Sequence, residues 1–330
     1  MSSSNVLEVS GGICAYCGAC VSICSTSAIY LEDDKIAIRG EKCTRCGLCV
    51  KVCPAINIEI YEPPVIESYT ARSTIQKVLE VCQDGGVVTA LLMEALKRGL
   101  VDIVIVCGES ETERLKPRPF LANSPEDVLI AAGSKYSLSP ILNLLEEAIS
   151  RSDKVAIVGL PCHLRALELM RKAQLVEYTR AIRLKIGLFC MNNYPYANLI
   201  KIIAEVAKAP LSEVNKVEIR KGKFIVWLRT GVARSAAITE FKEYVNVACK
   251  TCPDFTAWFS DISVGSAGSE EGWSTVLIRS ETGRNLFNMA VKEGVITAKS
   301  LSEKALNQVR RLAGVKLKRA LGSINQIKLS

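Results

Sequence analysis

The sequence predicts an α/β protein in two parts, a small α+β module followed by a larger body built on a mostly parallel sheet. Between residues 88 and 208, short Val/Ile-rich runs bounded by Gly or Pro alternate with amphipathic stretches. Strands that alternate with helices pair in parallel through crossover connections. The first 53 residues instead carry a repeated cysteine unit, and Pro63-Pro64 stiffens the chain just beyond it. A chain of 330 residues has room for about two domains on a prior of about 100–200 residues each. With 49% hydrophobic and 23% charged residues, wholesale disorder and collagen-like structure are excluded.

Fourteen cysteines stand against a single histidine. The start, MSSSNVLEVSGG, lacks the basic and apolar regions of a secretory signal. Apolar runs such as 101–106 and 155–160 fall far short of the ~20 residues that span a bilayer. In the cytoplasmic setting this implies, disulfides have little use, so the thiols point to metal or redox chemistry. One histidine also argues against His-rich zinc catalysis and most triad hydrolases.

Eight cysteines form two matching runs, Cys14-x2-Cys17-x2-Cys20-x3-Cys24 and Cys43-x2-Cys46-x2-Cys49-x3-Cys53-Pro54. This is the spacing that binds two [4Fe–4S] clusters in bacterial-type ferredoxins, the fourth cysteine of each run ligating the other cluster. Two-residue spacings let a turn wrap three thiolates around one cube, and the fourth cysteine is expected to start a helix leading to the other. Cys14, Cys17, Cys20 and Cys53 are therefore expected to hold one cluster, and Cys43, Cys46, Cys49 and Cys24 the second. Gly18 and Gly47 supply the tight turns. Ser25 stands where the motif has a proline after its fourth cysteine.

In the body, residues 102–106, 154–158 and 184–189 read as buried strands, and 88–98, 139–149, 164–172 and 196–208 as helices. Chemistry in such sheets gathers at the carboxyl ends of strands. Cys162 and Cys190 lie just past two such ends, and Cys249 and Cys252 form a CxxC. Four thiolates suffice for a third [4Fe–4S] cluster, while a four-cysteine zinc site and ordinary buried thiols fit the same positions. Cys82 and Cys107 read as core or pocket-lining thiols. The segment Asp84-Gly85-Gly86-Val87-Val88-Thr89 precedes a helix, whose N-terminal N–H groups favour a phosphate, although a plain helix-entry turn reads alike. Gly133-Ser134-Lys135-Tyr136 offers a hydroxyl, a cation and a ring together. Residues 257–279 join two strands through a Gly/Ser-rich loop of the kind that lines clefts.

Taken in order, DGGVVTALL, GSKYS, LPCHLRAL, GLFC, CKTCPD and DISVG…GWSTVLIR resemble the flavin- and iron–sulfur-containing beta subunits of coenzyme F420-reducing hydrogenases and formate dehydrogenases. The resemblance spans roughly residues 70–280. Fusion to a two-cluster module is more similar to the electron-input subunit of archaeal F420H2 dehydrogenases. The N-terminal half of F420-dependent sulfite reductases is similar too, and an end at Ser330 without a sulfite-reductase half disfavours that assignment. The resemblance implies FAD, an F420 site over its isoalloxazine ring, and a flavin-proximal [4Fe–4S] cluster on Cys162, Cys190, Cys249 and Cys252. It implies Gly85, Gly86, Thr89, Ser134, Lys135 and Tyr136 for the FAD, and Gly272, Trp273, Ser274 and Thr275 for the flavin or F420 pocket. No catalytic side chain is required, because hydride transfer between F420 and FAD and single-electron transfer through clusters belong to the cofactors. His163 replaces the amide side chain usual after the Pro-Cys pair and reads as a cluster-tuning or a packing residue. Two alternatives are a ferredoxin-fed reductase of another substrate, such as a chlorophyll pigment, and an electron-transfer adaptor with no substrate of its own.

The implied layout is a two-cluster module at 1–62, a flavin and F420 domain at 63–298, and a basic helix at 299–330. The formal net charge is +8, and residues 299–330 alone carry eight basic side chains against one acidic. Leu306, Val309, Ala313, Leu317 and Leu321 recur there at helical spacing. This helix either docks with a solvated basic face or meets an acidic partner subunit, an anionic membrane surface or the acidic tail of F420. Nucleic-acid binding is not expected, since no aromatic or helix-turn-helix context accompanies the charge. Expected partners are F420 and electron-exchanging subunits of a membrane dehydrogenase complex, a hydrogenase or similar. The expected location is cytoplasmic, with peripheral attachment to the membrane through such a complex as the variant.

Overall fold

The computed structural model describes residues 4–329, with side chains through residue 324. The amino-terminal module holds helices α1 (Val6–Ser10) and α2 (Ala19–Ser22), the hairpin β1 (Ile29–Glu32) and β2 (Lys35–Ile38), and helix α3 (Leu48–Lys51). Asn5 caps α1 by accepting from the Leu7 and Glu8 N–H groups, while Glu8 reaches back to the Asn5 N–H. The hairpin turns at Asp33 and Asp34, both at positive φ, the geometry of a two-residue turn that Asp tolerates.

The body continues with β3 (Glu67–Ser73), α4 (Gln76–Val81), α5 (Val87–Lys97), β4 (Ile103–Glu109), β5 (Pro117–Ala122), α6 (Pro125–Ile130) and α7 (Leu145–Arg151). Next come β6 (Val155–Gly159), α8 (Pro161–Lys172), α9 (Val176–Thr179), β7 (Ile182–Leu188) and α10 (Tyr196–Ala207). A three-stranded antiparallel sheet follows, from β8 (Val214–Arg220), β9 (Lys223–Leu228) and β10 (Ala233–Ala237). The chain ends with α11 (Val247–Thr251), β11 (Ile262–Gly265), β12 (Ser274–Ile278), α12 (Glu281–Lys292), β13 (Ile296–Ser300) and α13 (Glu303–Leu329). Helix α8 begins at Pro161, earlier than hydrophobic spacing alone suggests, because proline is favoured at a first helical position. The stretch read as one helix over 139–149 is a 3-10 turn, Ile141–Leu144, entered from Pro140 and followed by α7.

The main sheet has eight strands in the order β13-β3-β12-β11-β7-β6-β4-β5. The α/β architecture holds, and parallel pairing is confined to the central strands β11, β7, β6 and β4. Antiparallel neighbours close both flanks. This topology aims the carboxyl ends of β3, β4, β6, β7 and β11 at one edge. Alternation along β4 sends Val104 and Val106 to a core shared with α5 and α12, and Ile103 and Ile105 to a core shared with α7 and α8.

The second of these cores also contains Cys17, Ala19, Ile23 and Val52 of the amino-terminal module. Gly18 makes the close approach possible. At φ +86°, a Cβ there would lie 2.5 Å from the Asn143 nitrogen and 2.7 Å from the Pro140 oxygen. Beside it the Leu142 N–H donates to the Cys17 carbonyl at 3.1 Å, and the Glu146 N–H donates to Ser22 Oγ at 3.2 Å. The linker is tied down as well, since Arg279 donates to Glu62, the Pro63 carbonyl and Thr256. Among the described residues, no helix is long and apolar enough to cross a membrane.

A core shared by the amino-terminal module and the body should make the two unfold together. We expect Ile23→Ala, which empties a side chain only 3% exposed, to cost about 2–5 kcal/mol. Chemical denaturation followed separately by far-UV circular dichroism and by cluster absorbance should show one coincident transition. Two separate transitions would contradict the shared core.

Candidate functional site

All fourteen cysteines are free thiols. In the amino-terminal module, Cys14, Cys17, Cys20 and Cys53 line one cavity together with Pro54. Cys24, Cys43, Cys46 and Cys49 line a second, open cavity, with Cys20 among its lining residues. Each cavity thus gathers three thiols of one run and the fourth of the other. Gly18 and Gly47 turn the chain at φ +86° and +76°, so that the third cysteine of each run enters α2 or α3. The fourth cysteine follows its short helix rather than starting one, which corrects the sequence expectation. Cys24 comes after the α2 cap at Ile23 and Cys53 after the α3 cap at Val52. The helix spends its only turn on the third ligand position.

In the body, Cys162 lies in the first turn of α8 after β6, and Cys190 lies two residues past β7. Cys249 is in α11 and Cys252 is its C-cap. The fold brings these four within electrostatic reach of one another. Burial, reinforced by charge on Cys17, Cys252, Cys190 and Cys249, pushes the Cys162 thiol well up. Burial pushes the Cys249 thiol up to about 12, with Cys190 and Cys252 contributing. The same charge interactions join the three sites in a series. Cys17 of the first cavity bears on Cys162, and Cys49 of the second bears on Cys20 of the first.

Two observations bear on what the third group of thiols fits. No three His, Cys, Asp or Glu side chains among the described residues converge on a single ion position. Buried polar atoms without partners also concentrate on residues of this neighbourhood: Asn192 Oδ1, Tyr194 OH, Asp254 Oδ1, Trp258 Nε1, Arg319 Nε and both terminal nitrogens of Arg165. Buried polar groups are normally satisfied, so these atoms call for partners beyond the side chains and backbone around them.

Helix α13 supplies residues that sequence reasoning missed. Its buried face runs through Val309, Lys316 and Ala320, 2%, 1% and 0% exposed, whereas Leu321 of the expected stripe is 40% exposed. The Lys316 ammonium donates to the Cys190 carbonyl at 2.5 Å. Arg319 donates to the Met191 and Cys249 carbonyls, both at 3.1 Å. Burial alone would push the Lys316 amine down, but Cys252, Cys190, Cys249 and Asp254 outweigh it and raise it. The available signal was spacing, because Lys316 stands seven residues after Val309 and four before Ala320, a core position occupied by a cation. The side chain of Lys328, counted with the basic tail, lies outside the described residues.

The expected flavin residues divide into two groups. Gly85 and Ser274 meet directly, since the Gly85 N–H donates to Ser274 Oγ at 3.2 Å and a Cβ on Gly85 would lie 2.7 Å from the Ser274 nitrogen. Gly86, at φ +68°, is the N-cap of α5, and Thr89 is buried in the first turn. Gly272 faces Arg72, and the Trp273 ring lies under the Lys299 ammonium at 4.8 Å. Thr275 is fully buried and bonds Ser269.

The Ser134–Tyr136 loop packs beside this group, with Gly133 against the Val81 carbonyl, but two of its polar groups are already engaged. Lys135 spends its donors on the Ala131, Ala132 and Gly133 carbonyls, and the Tyr136 hydroxyl accepts from the Ile219 N–H. His163 is a buried packing residue. Its Nδ1 accepts from the Leu160 N–H and its Nε2 meets the Ser139 carbonyl, each at 3.0 Å. Both nitrogens are therefore turned away from the cysteines, and burial lowers the ring to about 4. Cys107 bonds Ser139 Oγ and Cys82 donates to the Asp84 carbonyl.

Comparison with known proteins agrees in outline. Residues 13–57 match the model of a 4Fe-4S dicluster domain. Residues 68–146 and 152–304 match the N-terminal and C-terminal models of the coenzyme F420 hydrogenase/dehydrogenase beta subunit. The chain is 36% identical over 281 residues to the coenzyme F420 hydrogenase subunit beta of Methanosarcina barkeri, covering 81% of this chain and 95% of that one. It is 33% identical over 299 residues to a subunit of the F(420)H(2) dehydrogenase of Methanosarcina mazei, covering 85% and 83%. A chain in the structure of the F420-reducing [NiFe] hydrogenase complex from Methanosarcina barkeri superposes with a TM-score of 0.76 at 35% identity, over 82% of this chain and 95% of that one.

The thiol environments make a chemical forecast. Although burial opposes it, hydrogen bonds from the Thr26 side chain and the Ile29, Ala28 and Thr26 backbone bring the Cys24 thiol below its ordinary value, and Cys46 is exposed. Because thiolates are the reactive form, iodoacetamide should label Cys24 and Cys46 of the metal-free chain first and Cys17 and Cys162 last. Peptide mass mapping over a time course reads the order, and early labelling of Cys162 would contradict it.

Proposed function

Since the chain belongs to the coenzyme F420 hydrogenase/dehydrogenase beta subunit family, we propose that it is an F420-dependent oxidoreductase subunit that exchanges electrons between F420H2 and a partner through FAD and three [4Fe–4S] clusters. The observation that carries this reading is the series of three four-cysteine groups, in which Cys162 neighbours Cys17 and Cys20 neighbours Cys49. The relatives named for F420-linked hydrogenase and dehydrogenase subunits support the substrate. When bound, the flavin would accept a hydride from the deazaflavin and release electrons singly, and the clusters would carry them onward.

The side chains bind, orient and shield. Cys162, Cys190, Cys249 and Cys252 would hold the flavin-side cluster, and α13 covers that site through Lys316 and Arg319. Cys14, Cys17, Cys20 and Cys53 would hold the middle cluster, with Cys17 buried in the core shared with the body. Cys24, Cys43, Cys46 and Cys49 would hold the outer one, where exposed Cys46 leaves the group near the surface for exchange with a partner subunit. Gly85 and Gly86 keep the entrance to α5 free of side chains, so that its first N–H groups can face a phosphate of FAD. Arg72, Gly272 and Trp273 border the same edge and suit the flavin or the acidic tail of F420. Lys135 would have to give up its carbonyl partners to serve the cofactor, so its present role is to close the end of α6. The working location we propose is cytoplasmic, with peripheral attachment to the membrane through a partner complex as the variant.

Purified anaerobically, the chain should contain FAD and about twelve iron per molecule, bleach on addition of F420H2, and pass electrons to a viologen dye. Cys249→Ala/Cys252→Ala should retain about eight iron, keep flavin reduction by F420H2 and lose electron delivery to the two ferredoxin-type clusters. A flavin-free wild-type protein inert to F420H2 would refute the proposal.

A further inference from the structure

A cation on the buried face of a terminal helix needs a reason, because burying an ammonium is costly unless it is paired. Lys316 is 1% exposed, and its ammonium donates to a backbone carbonyl, that of Cys190. Asp254 is the acidic residue in its reach. That carboxylate is 0% exposed, its Oδ2 accepts from the Trp258 N–H, and its Oδ1 has no partner. Arg165 and Arg279 also bear on Asp254, Arg279 being paired with Glu62, while Arg319 binds the Cys249 carbonyl. Lys316 and Arg319 thus bring two cations to the backbone that carries Cys190 and Cys249.

We propose that Lys316 is the counter-charge of the site formed by Cys162, Cys190, Cys249 and Cys252, setting the potential at which a cluster held there accepts an electron. The inference rests on the reading of that site as a cluster site and adds a positioning residue to it. A cube with four thiolates is already anionic, and taking one electron adds one negative charge. A fixed cation in a low-dielectric surrounding therefore favours the reduced form. Lys316 makes this site an easier acceptor than its thiolates alone would allow, which suits the first cluster after a flavin. Because the cation arrives on α13, the last helix of the chain, the potential depends on how that helix is seated.

The test is a mediated potentiometric titration of the full holo-chain, monitored by EPR, on wild type, Lys316→Met, Lys316→Gln and Lys316→Arg. Removing the charge should lower the reduction equilibrium constant of one cluster about tenfold or more, about 59 mV for one electron. The other two clusters should be unchanged, and K316R should stay near wild type. Unchanged midpoints in K316M and K316Q at full iron content would overturn the proposal. So would loss of the third cluster in K316M, K316Q and K316R alike, which would make Lys316 a strut. A wild-type chain with about eight iron and only two titrating clusters would refute the site reading itself, a different failure from either of these.

Discussion

The structure depends on the close approach of two backbones at Gly18. The first cysteine loop can press on the Pro140–Asn143 turn only because no Cβ intervenes and the chain adopts a left-handed turn there. From that contact follow the bond from Leu142 to the Cys17 carbonyl, the bond from Glu146 to Ser22, and the burial of Ile23 and Val52 in the body's core. The same contact brings Cys17 within electrostatic reach of Cys162. One steric condition thus links the packing of two modules to the separation of the thiol groups proposed to carry electrons, because a loose tether would not hold those groups fixed.

The second governing feature is the sheet topology. Parallel order in the four central strands aims the ends of β6 and β7 at the edge where α11 and the β11–β12 loop return. Antiparallel flanks then fold β3 and β12 together, so that Gly85 after β3 meets Ser274 at the start of β12. The third thiol group and the proposed flavin edge therefore belong to one rim. Helix α13 closes this rim with the cationic groups of Lys316 and Arg319.

Much of this was legible in the sequence, for physical reasons. Cysteine spacing is a local geometric code, so both ferredoxin-type sets could be read from two matching runs. The strands around residues 103–109, 155–159 and 182–188 are short apolar runs with clear punctuation. The strands at 214–220, 223–228 and 233–237 were not anticipated, because their polar, alternating surfaces, as in VNKVEIR and ARSAA, look like loops without a partner in view. The burial of Lys316 escaped because a lysine among basic neighbours reads as a solvated face, and only the docking of α13 shows otherwise. Lys135 and Tyr136 show the opposite limit. Their chemistry suits a nucleotide, yet local carbonyls and the Ile219 N–H engage them first.

Electrons are proposed to traverse the three cysteine-held groups in the order in which those groups are packed. Rapid freeze-quench EPR after anaerobic mixing with F420H2 tests this most directly. The cluster on Cys162, Cys190, Cys249 and Cys252 should be reduced first, followed by the ferredoxin-type pair. Bleaching of flavin with no iron–sulfur signal, or reduction of the ferredoxin-type pair at an undiminished rate when the third group is removed, would contradict it.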